Sequence, residues 1–522
     1  MRSKSAASSR LHMPPHPPSS DYAQRRAKAQ AMGGAEKLEK RTEAGLLNAR
    51  SRIERLVDPG SFCESGLFAQ SVAAEDRERT PADGKIAGYG RIDGRDVAIV
   101  SNDFTVKGAS SSMTNMRKIG QMRRVAAQRG LPMIWLGESS GARLPDNQGS
   151  RGMGTMLGND PTQYQRLRET PWASAILGSA YGSSFLYNSC SDFSVMRKGA
   201  VMAVSSPNLI ELATGAKIDP QELGGWRLHA ETTGMVDMAV DTDEEAIDAI
   251  KRFLSYMPAH HNETPPLKPV APGSGDGMAD ILSVLPENRT QVYDMRKIIE
   301  RIADAGSIFE LKARFGRTLV TSLARLDGRV VGFLANNPLV KGGALDPDAC
   351  DKAIDFLVLC DSFNIPLVML VDTPGFGIGL EPEKKRITGK IVNWMNALQL
   401  VTMPKISILI RKSYGQAYLN MGGGRNSDEF VAWPTAEVSF MTPAFAATIV
   451  HGLRPGDPGF DEHVEAMDRE NEVWDMASMY AVQHVVQPHE TRDYLIRVLE
   501  THQLRLTKGI GQHLLRSWPT SS

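Results

Sequence analysis

The sequence lacks the features that several protein classes require. Its four cysteines form no CxxC pair and no zinc-ligand spacing, so we expect incidental free thiols in a reducing compartment. No apolar run approaches the roughly 18 residues that mark a membrane-spanning helix. The 60 basic and 60 acidic side chains cancel. Bulk charge therefore gives no indication of a nucleic-acid or membrane partner.

Catalytic and nucleotide-binding signatures are missing as well. The glycine-rich stretch 371–379 contains neither a Walker A motif nor Gly-x-Gly-x-x-Gly, so nucleotide hydrolysis has no support. No His/Asp/Glu constellation is recognisable, and no metal site is predicted. His229, His451 and His484 are isolated, and we expect each to be structural.

The sequence does contain a long internal repeat. Asp93-Gly94-Arg95 returns further along the chain as Asp327-Gly328-Arg329, and Leu131–Gly141 aligns with Ile365–Gly375 at the same offset. A period of this length indicates two whole domains of one fold, because solenoid repeats are only about 20–50 residues long.

Upstream of these segments the repeat has a larger offset. Ile53-Glu54-Arg55 returns as Ile299-Glu300-Arg301. More residues separate these two segments than separate the two members of each pair above. The first copy is therefore expected to carry a longer loop between residues 64 and 93.

Composition places the domain boundaries. Residues 1–34 are rich in Ser, Pro and Arg and are expected to be a disordered extension. A transit peptide has a similar composition, but the prolines at 14–18 would break its helix, so we expect a cytoplasmic protein, with the mitochondrial matrix as the alternative. The proline-rich segment 258–277 is predicted to link domains at 35–257 and 278–510, with a tail at 511–522.

Each copy reads as strand, helix, strand. Asp96–Phe104 and Met133–Leu136 are short apolar runs that flank a helical pattern beginning at Met113. Val330–Ala335 and Leu367–Val371 repeat the arrangement. Such an order requires crossover connections, so the fold class is α/β with largely parallel sheets. The methionine stripe from Met113 is expected to fill the core.

A third strand in each copy ends in a Tyr-Gly element. Pro171–Ala180 leads into Tyr181-Gly182-Ser183, and Pro404–Ser413 leads into Tyr414-Gly415-Gln416. A strand that turns sharply into a helix aims unpaired backbone N–H groups at one point, where an oxyanion or phosphate can bind. The glycines could instead simply permit a tight turn. Their occurrence in both copies favours a paired functional element.

The ordered set of motifs resembles the carboxyltransferase (β) subunits of biotin-dependent acyl-CoA carboxylases, of the propionyl-CoA/acetyl-CoA carboxylase type. The resemblance covers about residues 33–497. Its landmarks are Asp103–Gly108, Gly141-Ala142-Arg143, Gln221–Gly225, Ala335–Pro338, Phe363–Pro366, Val371–Gly379, Ala432–Ala436 and Pro488–Arg492.

This resemblance implies two tandem crotonase-like domains related by duplication, and a ring-shaped homohexamer. Active sites would lie between the N-domain of one subunit and the C-domain of its neighbour. The implied reaction moves CO2 from carboxybiotin to the α-carbon of an acyl-CoA. Both the thioester and the biotin ureido group become negatively charged, so two oxyanion holes would serve the reaction. No side-chain base is required, because the biotin ureido group itself can take the α-proton.

The resemblance also implies roles for individual residues. Gly182 and Ser183 would form one oxyanion hole, and Gln416 with Ala417 or Gly415 the other. The acyl-CoA groove would be lined by Gly108, Ala109, Gly141, Ala142 and Arg143, and the biotin side by Gly375, Phe376 and Gly379. Arg143 could face a phosphate or pair with a local carboxylate.

Several positions depart from the family pattern. Gln416 replaces a glycine, and Leu419 replaces an acid near the acyl pocket, so the usual propionyl specificity is in doubt. Ser183-Ser184 replaces Gly-Ala, Leu144-Pro145-Asp146 replaces Ile-Gln-Glu, and Ala481–His484 replaces an acidic stretch. These changes affect the expected substrate more than the expected fold.

The chain has no Ala-Met-Lys-Met biotinylation site and no room for an ATP-binding carboxylase domain. Biotin is therefore expected on a biotin carboxylase/carboxyl carrier partner. Three alternatives stay open: a biotin-dependent decarboxylase or transcarboxylase subunit, a non-catalytic scaffold of a carboxylase complex, and a CoA hydratase or isomerase. The last would need neither a duplicated Tyr-Gly element nor the Pro374-Gly375-Phe376 loop.

Overall fold

The apolar runs of the sequence form the strands of two sheets with the same strand order. The structure is a computed structural model that describes residues 19–156, 160–289, 291–502 and 513–519. Each sheet has eight strands, of which the first three are antiparallel and the rest parallel. The predicted α/β class with two similar domains is confirmed.

The N-terminal sheet has the order β1-β2-β3-β4-β5-β6-β8, and β7 pairs with the end of β5. Its strands are β1 (Cys63–Ser65), β2 (Lys85–Ile92), β3 (Arg95–Asn102), β4 (Met133–Ser140), β5 (Trp172–Tyr181), β6 (Phe193–Arg197), β7 (Val201–Met202) and β8 (Met238–Val240).

The C-terminal sheet repeats this order as β9-β10-β11-β12-β13-β14-β16, and β15 pairs with the end of β13. Its strands are β9 (Phe309–Leu311), β10 (Leu319–Leu326), β11 (Arg329–Asn336), β12 (Leu367–Thr373), β13 (Lys405–Tyr414), β14 (Glu429–Ala432), β15 (Glu437–Ser439) and β16 (His484–Val485).

The duplication extends to local irregularities. The register between β4 and β5 shifts between Gly137 and Ser139, and that between β12 and β13 shifts between Val371 and Thr373. An isolated parallel β-bridge outside the strands, between Ser111 and Ala142, recurs between Leu345 and Phe376. Each of these features recurs at the offset that separates Asp93 from Asp327, so the repeat in the sequence reports a true structural repeat.

The helices lie between and after these strands. Those of the N-terminal half are α1 (Ser19–Gln30), α2 (Ala35–Glu43), α3 (Ala49–Leu56), α4 (Met113–Arg129), α5 (Leu144–Asn147), α6 (Gly149–Met156), α7 (Ser183–Ser189), α8 (Pro207–Thr214), α9 (Pro220–Gly224) and α10 (Asp243–Leu254). Those of the C-terminal half are α11 (Arg296–Ile302), α12 (Pro347–Ser362), α13 (Leu380–Lys384), α14 (Ile387–Leu400), α15 (Ala417–Asn420), α16 (Pro443–His451), α17 (Phe460–Glu470), α18 (Val473–Ser478) and α19 (Thr491–Thr501).

Both crossover helices begin at a polar cap. Helix α4 begins at Ser112, whose hydroxyl accepts from the backbone N–H of Asn115, and it ends at Gly130 in the left-handed conformation. Helix α12 begins at Asp346, which accepts from Ala349, and Pro347 occupies its first turn. Met122 of α4 is fully buried, whereas Met113 and Met116 are half-buried.

The structure corrects the expectation of disorder for part of the N-terminal extension. Residues 19–30 form α1, where an Asp21–Arg25 pair stabilises the helix, and Tyr22 contacts Phe68. Residues 1–18 lie outside the described residues. The C-terminal segment 513–519 packs onto the body through Leu515, which is fully buried. The expected boundary at residue 510 falls within 503–512 and also lies outside the described residues.

One apolar core joins the two halves. It includes Phe193 and Phe253 of the first half, which stack on each other, and Phe309 of the second. Within the described ranges, no helix is both long and apolar enough to cross a bilayer. In the same ranges no group of three or more His, Cys, Asp or Glu residues could hold a metal ion. All four cysteines are free thiols.

Candidate functional site

The first Tyr-Gly element is a sharp turn from β5 into α7. Gly182 has φ 64° and ψ −130°, a combination that only glycine adopts without strain. A Cβ at this position would lie 3.0 Å from the Cα of Gly141, so β4 and β5 end in close contact. The backbone N–H groups of Gly182 and Ser183 have no acceptor among the described residues. They are free to bind an external oxygen atom.

Ser111 joins the loops that surround this turn. Its N–H donates to the carbonyl of Gly141 at 2.8 Å, and its carbonyl accepts from the N–H of Arg143 at 2.8 Å. Its hydroxyl lies 2.5 Å from the hydroxyl of Ser183. The sequence did not single out Ser111. Its alignment with Leu345 in the second copy does not reveal its role because leucine lacks the hydroxyl.

The loop 107–109 packs beside the same turn in a left-handed conformation. Gly108 has φ 62°, and a Cβ there would lie 2.7 Å from the Ser140 hydroxyl. The N–H of Ala109 is already bonded to the carbonyl of Val106, so Ala109 can line the groove but not donate from its backbone. Gly108 thus lies beside Ser140, next to Gly141 and the Gly182 turn.

Arg143 pairs with a carboxylate, which decides between the two alternatives left open by the sequence. Its Nη1 lies 2.5 Å from Asp83 and 3.4 Å from Asp146, and its Nε donates to Ser110 at 3.2 Å. The residue is only 4% exposed. A guanidinium buried in this way is not presented to a phosphate, and its contacts fix the loop after β4.

The second Tyr-Gly element repeats the turn from β13 into α15. Gly415 has φ 59°, but its N–H donates to the carbonyl of Ser439 at 3.1 Å. This contact corrects the prediction that Gly415 is an alternative N–H donor. The N–H groups of Gln416 and Ala417 have no acceptor in the described part of the chain. The Gln416 side chain is exposed, and therefore it does not fill the turn.

The loop after β12 lies next to this second turn. A Cβ on Gly375 would lie 3.5 Å from the carbonyl oxygen of Tyr414, and the ring of Phe376 packs edge-on against Trp394. Gly379 has φ 120°, nothing lies within 4 Å of the position its Cβ would take, and Ile378 beside it is 89% exposed. Leu419 is half-buried on α15. Of the three residues predicted for the biotin side, Gly375 is buried, Phe376 is half-buried and Gly379 is exposed. Leu419, which was predicted for the acyl pocket, follows the same turn.

An asparagine supports the end of the central strand in each half. The Nδ2 of Asn102 donates to the carbonyl of Glu138 at 2.6 Å, and the Oδ1 of Asn336 accepts from the N–H of Asp372 at 2.7 Å. The carboxylate of Glu138 pairs with Arg41 at 2.7 Å, and that of Asp372 with Arg411 at 2.8 Å. Asn102 and Asn336 occupy equivalent positions in the two copies of the repeat. This equivalence is the feature of the sequence from which their shared role could have been predicted.

Both halves contain buried titratable groups whose pKa values are shifted. Burial lowers the pKa of Lys85 to about 7, although its ammonium reaches the Ala109 carbonyl at 3.0 Å. Burial raises the pKa of Asp103, which two hydrogen bonds from Thr105 partly offset. The pKa of the Tyr414 hydroxyl is raised by burial and by Glu437, to which it donates at 2.8 Å. Each of these groups forms hydrogen bonds with neighbouring loops or strands.

The three isolated histidines have contacts typical of structural or surface residues. His229 is buried, and its Nε2 lies 2.7 Å from the carbonyl of Met202. The ring of His451 stacks on that of His463 at 4.0 Å. His484 is exposed beside Tyr494.

Within one chain the two turns belong to different sheets, and the contacts between the halves are made elsewhere. Arg252 donates to the carbonyl of Ile308, Lys312 donates to that of Gly234, and Arg325 donates to that of Ser255. Among the described residues, no hydrogen bond or ion pair joins the loops of one turn to those of the other. The two turns are therefore separate within one chain.

Comparison with known proteins identifies the family. The carboxyl transferase domain model matches residues 40–508. The chain belongs to the carboxyl transferase family. The predicted family and enzyme class, a carboxyltransferase subunit of the biotin-dependent acyl-CoA carboxylase type, are therefore confirmed.

Relatives with different named reactions are equally similar. The chain is 32% identical to the propionyl-CoA carboxylase beta chain of Roseobacter denitrificans, over 91% of this chain and 94% of that one. It is 31% identical to methylmalonyl-CoA decarboxylase subunit alpha of Veillonella parvula, over 91% and 93%.

The fold matches a solved structure over nearly its full length. The crystal structure of the transcarboxylase 12S hexamer, with methylmalonyl-CoA and methylmalonic acid bound, has a TM-score of 0.86 at 32% identity. The match covers 93% of this chain and 95% of that one. It confirms the predicted fold of two similar domains.

Proposed function

We propose that this carboxyltransferase moves a carboxyl group between carboxybiotin and the α-carbon of an acyl-CoA, using two oxyanion holes built from its backbone. The observation that supports this proposal most directly is the pair of free N–H groups at each turn: Gly182 with Ser183, and Gln416 with Ala417. Each pair sits at the end of the equivalent strand in one of two duplicated sheets.

The first turn is assigned to the acyl-CoA. When the α-carbon loses its proton or its carboxyl group, negative charge develops on the thioester oxygen. Two fixed N–H donors aimed at that oxygen stabilise the enolate without any reorganisation during the reaction. Gly108, Ala109, Gly141 and Ala142 would line the groove that holds the CoA thioester beside Gly182. Arg143 would hold this groove in shape.

The second turn is assigned to biotin. Carboxybiotin supplies the carboxyl group and, once that group has left, a basic ureido group. The N–H groups of Gln416 and Ala417 would donate to the ureido oxygen, and Gly375, Phe376 and Gly379 would border the approaching ring. We assign the biotin to a separate carrier protein with its biotin carboxylase, because the chain offers no attachment site.

The complete site is assigned to two subunits of a homohexamer. Exposed apolar side chains follow both turns: Leu209 and Leu212 on α8, and Phe445, Ile449 and Val450 on α16. Clusters of exposed apolar side chains such as these are typical of subunit interfaces. A neighbouring subunit on these helices would bring the first turn of one chain to the second turn of the other.

The experiment is biotin-dependent decarboxylation of a panel of 2-carboxyacyl-CoAs by the purified protein. The panel contains malonyl, methylmalonyl, ethylmalonyl, longer and polar acyl chains. We expect turnover that requires free biotin and favours one chain type. Because Leu419 is apolar where an acid is usual, that type is expected to differ from the methylmalonyl group.

The physiological direction is decided by the partner. Reconstitution with the biotinylated carrier and its biotin carboxylase, with and without ATP and bicarbonate, separates an ATP-dependent carboxylase from a decarboxylase or a transcarboxylase. A folded hexamer that turns over none of the panel, alone or with its carrier, would contradict the proposal and leave the non-catalytic scaffold as the better description.

A further inference from the structure

One segment of the N-terminal half has no full counterpart in the C-terminal half. The segment lies between Gly66 and Gly84. Because the C-terminal half has fewer residues at this place, the repeat offset is smaller after the segment than before it. The segment ends in a left-handed turn in which Ala82 and Asp83 both have φ 49°. Each such residue costs about 1–2 kcal/mol, so the surrounding contacts must hold the turn in place.

The Asp83 carboxylate, which is fully buried, connects this segment to two elements of the first half-site. One oxygen lies 2.5 Å from Nη1 of Arg143, in the loop after β4. The other accepts from the Ser112 hydroxyl and from the N–H of Asn115 at 3.1 Å, at the beginning of α4. The Asp83 carbonyl also accepts from Nδ2 of Asn115 at 3.0 Å.

A short path leads from these contacts to the free N–H groups. The Arg143 backbone donates to Ser111, and Ser111 donates to Gly141, both at 2.8 Å. The Ser111 hydroxyl contacts that of Ser183 at 2.5 Å. A displacement of Arg143 would therefore reach the oxyanion turn through one residue.

The C-terminal half shows that capping the crossover helix does not by itself require this carboxylate. The residue equivalent to Ser112 is Asp346, which accepts from the Ala349 N–H at 3.0 Å and caps α12 unaided. The repeat offset pairs Asp83 with Arg317, which is exposed, and Arg143 with Gly377. The Asp83–Arg143 pair is thus peculiar to the half assigned to the acyl-CoA.

We propose that Asp83 is a positioning residue of the acyl-CoA half-site. Through Arg143 it holds Ser111 and Gly141 against the Gly182-Ser183 turn, and so fixes the direction of the two free N–H groups. This inference rests on the proposed function, in which that turn stabilises the enolate. Asp83 itself touches no substrate.

The test compares Asp83→Asn, Arg143→Gln and the double variant in the panel assay. Asparagine keeps the size of the side chain but removes the nearer charge partner of the buried guanidinium, which is left with Asp146 at 3.4 Å. We expect kcat to fall on the order of 10- to 100-fold, with KM for the acyl-CoA changed less than about 3-fold, since misplaced donors affect the transition state most. The double variant should be no slower than the slower single variant.

Asp304→Asn is the matched control. Asp304 is a buried carboxylate paired with Arg492 at 2.6 Å, remote from both turns. This control should lower the melting temperature but leave kcat of the folded protein unchanged. Hydrogen exchange of peptides covering 139–147 and 183–189 should be faster in Asp83→Asn than in the wild type or the control.

Wild-type kcat and wild-type exchange at 139–147 in Asp83→Asn would overturn the inference. The inference would also be overturned if Asp83→Asn lost activity only in proportion to its unfolded fraction, as is expected for the control. If the wild type itself transfers no carboxyl group, the proposed function fails. The exchange rates, which need no activity, then decide whether Asp83 holds this loop.

Discussion

Replacing Gly182 with alanine is the sharpest test of the first oxyanion hole. The added Cβ would lie 3.0 Å from the Cα and 3.4 Å from the carbonyl carbon of Gly141, both backbone atoms that cannot rotate away. It would also place alanine at φ 64° and ψ −130°, which costs about 1–3 kcal/mol. The turn must therefore shift, and the free N–H groups of Gly182 and Ser183 shift with it.

The magnitude follows from the value of the donors. Loss of one oxyanion donor costs roughly 10²- to 10³-fold in kcat, or about 2.7–4 kcal/mol. We expect Gly182→Ala to lower kcat of biotin-dependent decarboxylation about 100-fold, with a smaller change in KM. The assay is the initial rate with the preferred acyl-CoA at saturating biotin.

Gly94→Ala provides the matched control. Gly94 also has a left-handed φ, 76°, but nothing lies within 4 Å of the position of its Cβ, and it belongs to the turn between β2 and β3. Gly94→Ala should cost some stability through its left-handed φ but no kcat, whereas Gly182→Ala should lose more stability, because of its added clash, and also kcat. A folded, correctly assembled Gly182→Ala protein with kcat within 3-fold of the wild type would refute the assignment of this turn.

Three further predictions use other parts of the chain. Gln416→Ala should keep kcat within about 3-fold, because only the backbone N–H of Gln416 is assigned a role; a loss of about 100-fold would indicate a side-chain role. Arg168→Ala should lower the melting temperature and expose 513–519 to protease, because Nη1 of Arg168 donates to the carbonyls of Arg516 at 2.9 Å and Trp518 at 2.8 Å; an unchanged digestion pattern would contradict this. Burial lowers the pKa of Lys352 to about 7 from 10.5 when unfolded, so its contribution to stability is least below pH 7 and rises toward pH 10. Between pH 7 and pH 9 the free energy of unfolding gains at most about 3 kcal/mol from this group. Lys352→Met should remove that gain, so the melting temperature of the variant should rise less with pH than that of the wild type.

The repeat in the sequence predicted most of the scaffold because backbone geometry was duplicated with it. The ends of strands β3, β4, β5 and their counterparts lie within four residues of the predicted ends, since short β-branched runs between polar turns leave few alternatives. The roles of Gly141 and Gly182 were expected only from the family resemblance. In the structure the two glycines lie close together at the ends of neighbouring parallel strands.

The sequence could not show which polar groups meet. Asp83 and Arg143 are 60 residues apart, and Asp83 lies in the segment without a full repeat partner, so no internal comparison could reveal their contact. The hydrogen bond from the Gly415 N–H to the Ser439 carbonyl depends on where β15 pairs with β13. The Tyr-Gly elements of the sequence carry no information on that pairing. Helix α1 was missed because Ser, Arg and Gln suit an exposed helix as well as a disordered segment.

Comparison of the two halves separates what the fold requires from what the reaction requires. Elements present in both, such as the asparagines at Asn102 and Asn336 and the left-handed loops at Gly108 and Gly342, hold the ends of the strands. Under the proposed function, elements present in one half only serve the ligand of that half. The buried Asp83–Arg143 pair closes the loop beside Gly182, whereas Gly377 leaves its counterpart open beside Ile378. A rigid, closed groove suits a thioester that must be held during enolate formation, and an open surface suits a biotin that arrives and leaves on a carrier.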